Sequence, residues 1–306
     1  MTAPRMHDDE VDTDEDLVRR LVAAQFPHWA HLPIRRVLPA GTDNAIYRLG
    51  DDLTARLPRR PHGVLPLEKE IRWLPRLAPL LPLAAPVPIA EGAPGEDYPF
   101  VWAVCRWVYG DNATAGRIGD PRRFATELAE LAAALQRIDS SDGPGPGRHN
   151  FFRREPIARR DAATRAAIAA LASKVDAGAA TAAWEEALQA PDWHGPPVWI
   201  HGDLDSRNLL VEDGRLSGVI DFGCLGVGDP ACEAMVAWKV LSGDARDAFR
   251  TALAIDEASW MRARGWAVSQ AVMALSYYSD ETNAVLVGEA RRWLAEVLAD
   301  RAQAGE

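Results

Sequence analysis

The stretch WIHGDLDSRNLLV, residues 199–211, places His201, Asp203, Asp205 and Asn208 between two apolar ends. Ten residues after Val211, the apolar run of GVIDFG stops at Asp221. Between them Asp213-Gly214 separates LLV from LSGVI, a strong β-hairpin signal. Such a hairpin folds the strand ending at Asp221 back toward the loop that carries Asp203 and Asn208. Carboxylate and amide oxygens are the hard ligands that Mg2+ takes, with phosphate and water oxygens completing its octahedron. A carboxylate kept off the metal can accept a proton from an attacking hydroxyl. Phosphoryl transfer needs that pairing of a positioned nucleophile with metal charge opposite the moving group. Asp203 already fills the role of base, so His201 is expected to brace the loop.

These residues need elements to hold them. Residues 1–12 read as a disordered acidic tail. TDEDLVRRLVAAQF then has helical spacing, with Thr13 and Asp16 in capping-box register. PIRRVLPA, AIYRLG and LTARLP have strand character, and the turn residues between them suggest an antiparallel meander. LEKEIRWL follows as a helix that Pro75 should interrupt, and APVPIAEG and YPFVWAVCRWV read as further strands. Residues 13–108 thus form a small β-rich N-lobe with one inserted helix. After Tyr109 the character changes. Asp120 and Pro121 stand at N-cap and N1 positions of a helix carrying Phe124, Leu128, Leu131, Leu135 and Ile138. An alanine-rich stretch, 156–189, and four segments after Asp229 (231–241, 244–254, 256–278, 282–302) are also helical. Residues 109–306 are therefore a large helical C-lobe with the hairpin embedded in it, and the fold class is α+β.

The bulk numbers narrow the function. The chain has 306 residues, 48% hydrophobic and 25% charged, enough to bury a core in two lobes. A net charge of −10 argues against binding a nucleic-acid backbone. No apolar run reaches membrane-spanning length, and the acidic N-terminus has no apolar signal core, which points to the cytoplasm. Cys105, Cys224 and Cys232 lack CxxC spacing and sit in apolar surroundings, as buried free thiols do. Trp102, Trp107, Trp238, Trp260, Trp266 and Tyr277-Tyr278 suggest an aromatic cage for a cation, yet packing is the more economical reading for most of them. From Asp229 onward acidic residues outnumber basic ones by 12 to 8, a mild preference for an amine-bearing acceptor.

The literal pattern H-x-D-L-x-x-x-N, as His201, Asp203, Leu204 and Asn208, followed by Asp221-Phe222-Gly223, is that of the kinase signature set. With GDPACE after it, the segment 199–233 resembles the aminoglycoside phosphotransferase family, small-molecule kinases with a bilobal protein-kinase-like fold. GTDNAIYRLG, LTARLP and EIRWLPRLA extend the likeness through the N-lobe. The resemblance implies Asp203 as catalytic base, Asn208 and Asp221 as Mg2+ ligands, and ATP or GTP as donor. It places base-contacting backbone near Trp107 and Val108, while the loop AGTDNAIYR itself offers Thr42 and Asn44 as phosphate neighbours, with backbone amides to cradle the phosphate or simply to form a turn. Two positions depart from the family pattern. Arg56 stands where the third strand usually carries Lys, with Glu70 as its expected helix partner and Glu68 as the fallback. Glu233 replaces a more usual Asp and is expected to brace the catalytic loop.

The resemblance implies an O-phosphotransferase acting on a hydroxyl of an aminoglycoside-like or other antibiotic, with a cationic antibiotic among the acceptors. Choline-, homoserine- or fructosamine-type metabolite kinases share the fold. A nucleotide-binding pseudokinase draws its support from Arg56 alone. A metal-dependent hydrolase using His201 and Asp203 lacks a second His at ligand spacing. The acceptor and the oligomeric state are left open by the sequence.

Overall fold

The computed structural model describes residues 10–38, 43–153 and 155–304. The chain divides into two compact units. One comprises Met1–Tyr109 with Gly218–Gly223, the other Gly110–Ser217 with Cys224–Glu306.

In the first unit, helix α1 (Glu15–Gln25) starts on Asp14, whose carboxylate accepts the Leu17 amide at 2.7 Å. This corrects the capping box read at Thr13. The Thr13 hydroxyl instead accepts a buried hydrogen bond from Tyr47 Oη at 3.0 Å. The inner end of the tail read over 1–12 is also tied down. Glu10 is buried in an ion pair with Arg59, and the Val11 amide donates to the Arg59 carbonyl.

Strands β1 (Ile34–Arg36), β2 (Asn44–Leu49) and β3 (Leu53–Pro58) come next, then helix α2 (Val64–Leu77) and strands β4 (Pro88–Gly92) and β5 (Trp102–Arg106). The sheet is antiparallel in the order β1-β2-β3-β5-β4. Its inward side chains, among them Tyr47, Leu49, Leu57, Trp102 and Val104, share one core with Leu17, Val18, Leu21 and Val22 of α1. Helix α2 is longer than LEKEIRWL and passes through Pro75. The proline falls in the last turn, so the one amide bond it removes costs little further helix.

In the second unit, strand β6 (Asp111–Asn112) precedes helices α3 (Pro121–Arg137), α4 (Asp161–Ala170) and α5 (Ala177–Gln189). Strands β7 (Val198–Ile200), β8 (Leu209–Glu212), β9 (Arg215–Val219, its last two residues counted with the first unit) and β10 (Gly226–Gly228) lead to helices α6 (Ala231–Ala234), α7 (Val236–Lys239), α8 (Gly243–Leu253), α9 (Glu257–Tyr277) and α10 (Asp280–Ala304). Asp120 caps α3 as read, accepting the Arg122 and Arg123 amides at 3.0 and 3.2 Å. The helix expected over 231–241 is two short ones, and α10 is interrupted by non-helical backbone at Asn283. The β8–β9 turn has left-handed backbone at both central residues, φ 51° at Asp213 and 78° at Gly214, the geometry that favours Asp-Gly in two-residue hairpins. Trp102, Trp238 and Trp266 are fully buried and Trp260 nearly so, which makes them core residues.

Candidate active site

The loop between β7 and β8 is held by Glu233 at the start of the helical tail. Its carboxylate accepts the His201 and Gly202 amides, both at 2.9 Å, and is 1% exposed. Both carboxylate oxygens are thus spent on backbone donors that would otherwise be buried without partners. His201 is fully buried, and its Nδ1 accepts the Asp203 amide at 3.2 Å. It braces the loop, as its position in the motif suggested.

Asp203 sits in a basic surround that the sequence did not announce. Arg153 Nη2 donates to its Oδ1 at 3.2 Å, and Lys239 Nζ reaches the same oxygen at 3.3 Å. Both contacts fall on Oδ1. Burial alone would raise the Asp203 carboxyl. The Lys239 and Arg153 cations, followed by Arg207 and His201, outweigh it and hold the group well below the usual carboxylate range. Lys239 also lies 3.5 Å from Asp205 Oδ2 and over the Trp293 ring. Asp205 is fully buried, and Arg207 binds it through both backbone amide and guanidinium.

Arg153 is delivered by a tight turn. Asn150, fully buried, accepts the Gly147 amide and donates to the Gly145 carbonyl, each at 2.9 Å. Phe151 and Phe152 then both adopt left-handed backbone, φ 54° and 53°, conformations disfavoured for aromatic residues. Nothing local in NFFRRE marks this turn, so Arg153 was not legible in the sequence. Lys239 had a signal: it is the one charge in VAWKV, and a charge in a buried apolar run must find a partner.

Asn208 donates from Nδ2 to the Asp203 carbonyl at 2.9 Å, which leaves its Oδ1 outside that bond. In the first unit, Asp221 follows β9 with left-handed backbone, φ 63°, and an exposed carboxylate. Both offer hard oxygens of the kind Mg2+ takes. Among the described residues no group of three or more His, Cys, Asp and Glu side chains is set to hold a metal. Magnesium at a nucleotide site needs none, because phosphate and water supply most of its ligands.

The strand arginine is where the sequence placed it. Arg56 opposes Ile46 on β2 and Ala103 on β5. Its Nη1 and Nη2 meet Glu70 Oε2 and Oε1 at 2.5 and 3.0 Å. Glu70, not Glu68, is the partner. The Trp107 amide donates to the Asp52 carbonyl at 2.7 Å, and its ring carries the Arg48 guanidinium at 4.0 Å. Val108 is buried. Asn44 opens β2 with a buried amide oxygen that has no hydrogen-bond partner among the described residues. Thr42 lies outside the described residues.

A sequence model of the phosphotransferase enzyme family matches residues 34–271, from the start of β1 into α9. The chain belongs to that family. An aminoglycoside 3'-phosphotransferase of Streptomyces fradiae is 33% identical over 160 residues, 49% of this chain and 57% of that relative. The match thus spans just over half the length of that curated relative. Among solved structures, the GDP complex of aminoglycoside 2'-phosphotransferase-IIIa superposes with a TM-score of 0.70 at 18% identity, covering 94% of this chain and all of that one. A macrolide 2'-phosphotransferase of Brachybacterium faecium gives a TM-score of 0.60 at 25% identity, over 94% of this chain and 98% of that one. The α+β, protein-kinase-like fold expected for the family is the fold observed. No helix among the described residues is long and apolar enough to cross a membrane.

Proposed function

We propose that the protein is a small-molecule O-phosphotransferase, moving the γ-phosphoryl group of ATP or GTP to a hydroxyl of an antibiotic. The observation that carries this is the state of Asp203. It is a carboxylate kept ionised and locked through Oδ1 by Arg153 and Lys239, with Oδ2 left over for an acceptor hydroxyl. The held carboxylate orients that hydroxyl and takes its proton as the oxygen attacks phosphorus. Positioning and charge stabilisation supply most of the rate in such transfers.

Asn208 and Asp221 would hold Mg2+, whose charge neutralises the phosphate oxygens when bound. Arg56, oriented by Glu70, carries the fixed positive charge that a strand lysine would otherwise bring. The Arg–Glu pair speaks against a pseudokinase, because the arginine keeps the paired arrangement that its substitution had put in question. With the Trp107 amide spent on Asp52, the Val108 backbone is the better candidate for reading a nucleotide base. Asn44, and Thr42 beside it in sequence, are the phosphate neighbours in this reading.

The relatives named for aminoglycosides and macrolides support an antibiotic acceptor. Arg153 and Lys239 refine the choice: an acceptor ammonium must lie away from the reacting hydroxyl, where it would meet two cations at close range. The test is a transfer screen over aminoglycosides, macrolides, choline, homoserine and fructosamines, with radiolabelled ATP and GTP and products identified by mass spectrometry. Labelled antibiotic is the expected product, and Asp203→Asn should abolish it while keeping nucleotide-induced thermal stabilisation. A screen that labels only a metabolite, or undiminished transfer by Asp203→Asn, would overturn the acceptor class or the assigned base respectively.

A further inference from the structure

We infer that Lys69 is a positioning residue: it ties helix α2 to the Asp221-Phe222-Gly223 turn and thereby sets where the Asp221 carboxylate stands. The inference rests on the reading of Asp221 as a metal ligand given above, and deepens it.

Lys69 is only 7% exposed, and its Nζ donates to the Gly223 carbonyl at 2.7 Å. Burying an ammonium is costly unless it is hydrogen-bonded, and an amphipathic lysine on a helix flank can ordinarily reach water. This one is turned inward, onto a turn that needs support. Asp221 has φ 63°, left-handed backbone that non-glycine residues rarely adopt. The bond from the Gly223 amide to its Oδ1 is long, 3.4 Å. Strained residues persist where their surroundings over-determine them.

Helix α2 supplies that surrounding. A Cβ added to Gly223 would lie 3.8 Å from Pro66 Cβ and 3.9 Å from Glu70 Oε1, so the third residue of the turn packs on the same helix. Lys69 and Glu70 are consecutive, about 100° apart around the helix. Glu70 reaches the sheet at Arg56, and Lys69 reaches the turn. One helical turn therefore fixes both a phosphate-side cation and a metal-side carboxylate.

Composition points the same way. Of 34 basic residues only three are lysines: Lys69, Lys174 and Lys239. Two of them, Lys69 and Lys239, are buried, one on the Asp221 turn and the other on Asp203.

The test needs no acceptor. Thermal unfolding of the full chain is followed with ADP and with GDP, in EDTA and across a Mg2+ titration. Wild type should gain extra stabilisation on adding Mg2+. Lys69→Met should shift the Mg2+ midpoint upward by about tenfold, the usual loss when a group orienting a metal ligand is removed. Its metal-free nucleotide response should be unchanged, and Lys69→Arg should recover much of the Mg2+ response. Should Lys69→Met not fold, Lys69→Leu, which likewise removes the Nζ donor to Gly223, serves for the same comparison. An unmoved Mg2+ midpoint, or an equal loss in EDTA, overturns the positioning role. A wild-type protein indifferent to Mg2+ and both nucleotides would instead sink the functional reading itself, and this inference with it.

Discussion

Arg56 and Glu70 face each other through two hydrogen bonds, at 2.5 and 3.0 Å, with exposures of 6% and 1%. The bidentate geometry satisfies both carboxylate oxygens and both terminal guanidinium nitrogens at once, which a lysine at the same position could not do. Burial pulls the guanidinium down, and the adjacent Glu70 more than compensates, so that it stays charged.

Removing one partner alone should therefore be severe. Arg56→Met leaves an uncompensated buried carboxylate and is expected to cost about 3–5 kcal/mol in urea unfolding, whereas the Arg56→Met/Glu70→Leu pair should recover most of that loss. Additive losses in the double variant would mean that the two side chains are not energetically coupled.

Glu233 is the keystone of the loop between β7 and β8. Glu233→Ala strands two buried amides, those of His201 and Gly202, at roughly 1–3 kcal/mol each. Glu233→Gln retains one acceptor oxygen and should lose about half as much. Urea unfolding measures the stability, and transfer activity should fall in the same order.

Lys239 and Arg153 act on Asp203 without facing the phosphates in this reading. Lys239→Met should lower kcat by about 10²-fold, the usual consequence of misplacing a reacting group by an ångström. The thermal shift with nucleotide should stay at the wild-type value. Arg153→Lys, which keeps one donor, should lose less. Steady-state kinetics on the acceptor found by the screen decide it, and an unaltered kcat in Lys239→Met would remove the clamp from the mechanism.

Cys105 gives a pH prediction. Burial pushes its thiol up to about 12, against a smaller opposing pull from Arg56. The unfolded chain ionises this thiol near 8.5. Between those values the unfolded state releases a proton that the folded state keeps, so this group's contribution to stability declines as pH rises through that window. Native protein at pH 8 should leave Cys105 unlabelled by iodoacetamide, whereas denatured protein should label all three thiols, Cys105, Cys224 and Cys232.

The elements near the site were legible because their signals are local. The Asp213-Gly214 hairpin, the Asp120 cap and the strand carrying Arg56 depend on residues within a few positions of each other. Errors came where a distant partner intervened: Tyr47 takes the Thr13 hydroxyl, 34 residues away, and the cap falls to Asp14. Pro75 does not interrupt α2 for a related reason, since its cost depends on how much helix follows it.

By itself the sequence determined which residue types stand at the catalytic loop and the hairpin end, and in what order, because spacing along one loop and one strand pair is set by turn chemistry. Only the tertiary structure decided that Asp203 answers to Arg153 and Lys239, and the Asp221 turn to Lys69, across separations of 50, 36 and 154 residues. A buried charge must meet a counter-group, but which one it meets is settled by how distant helices pack, and no local pattern records that.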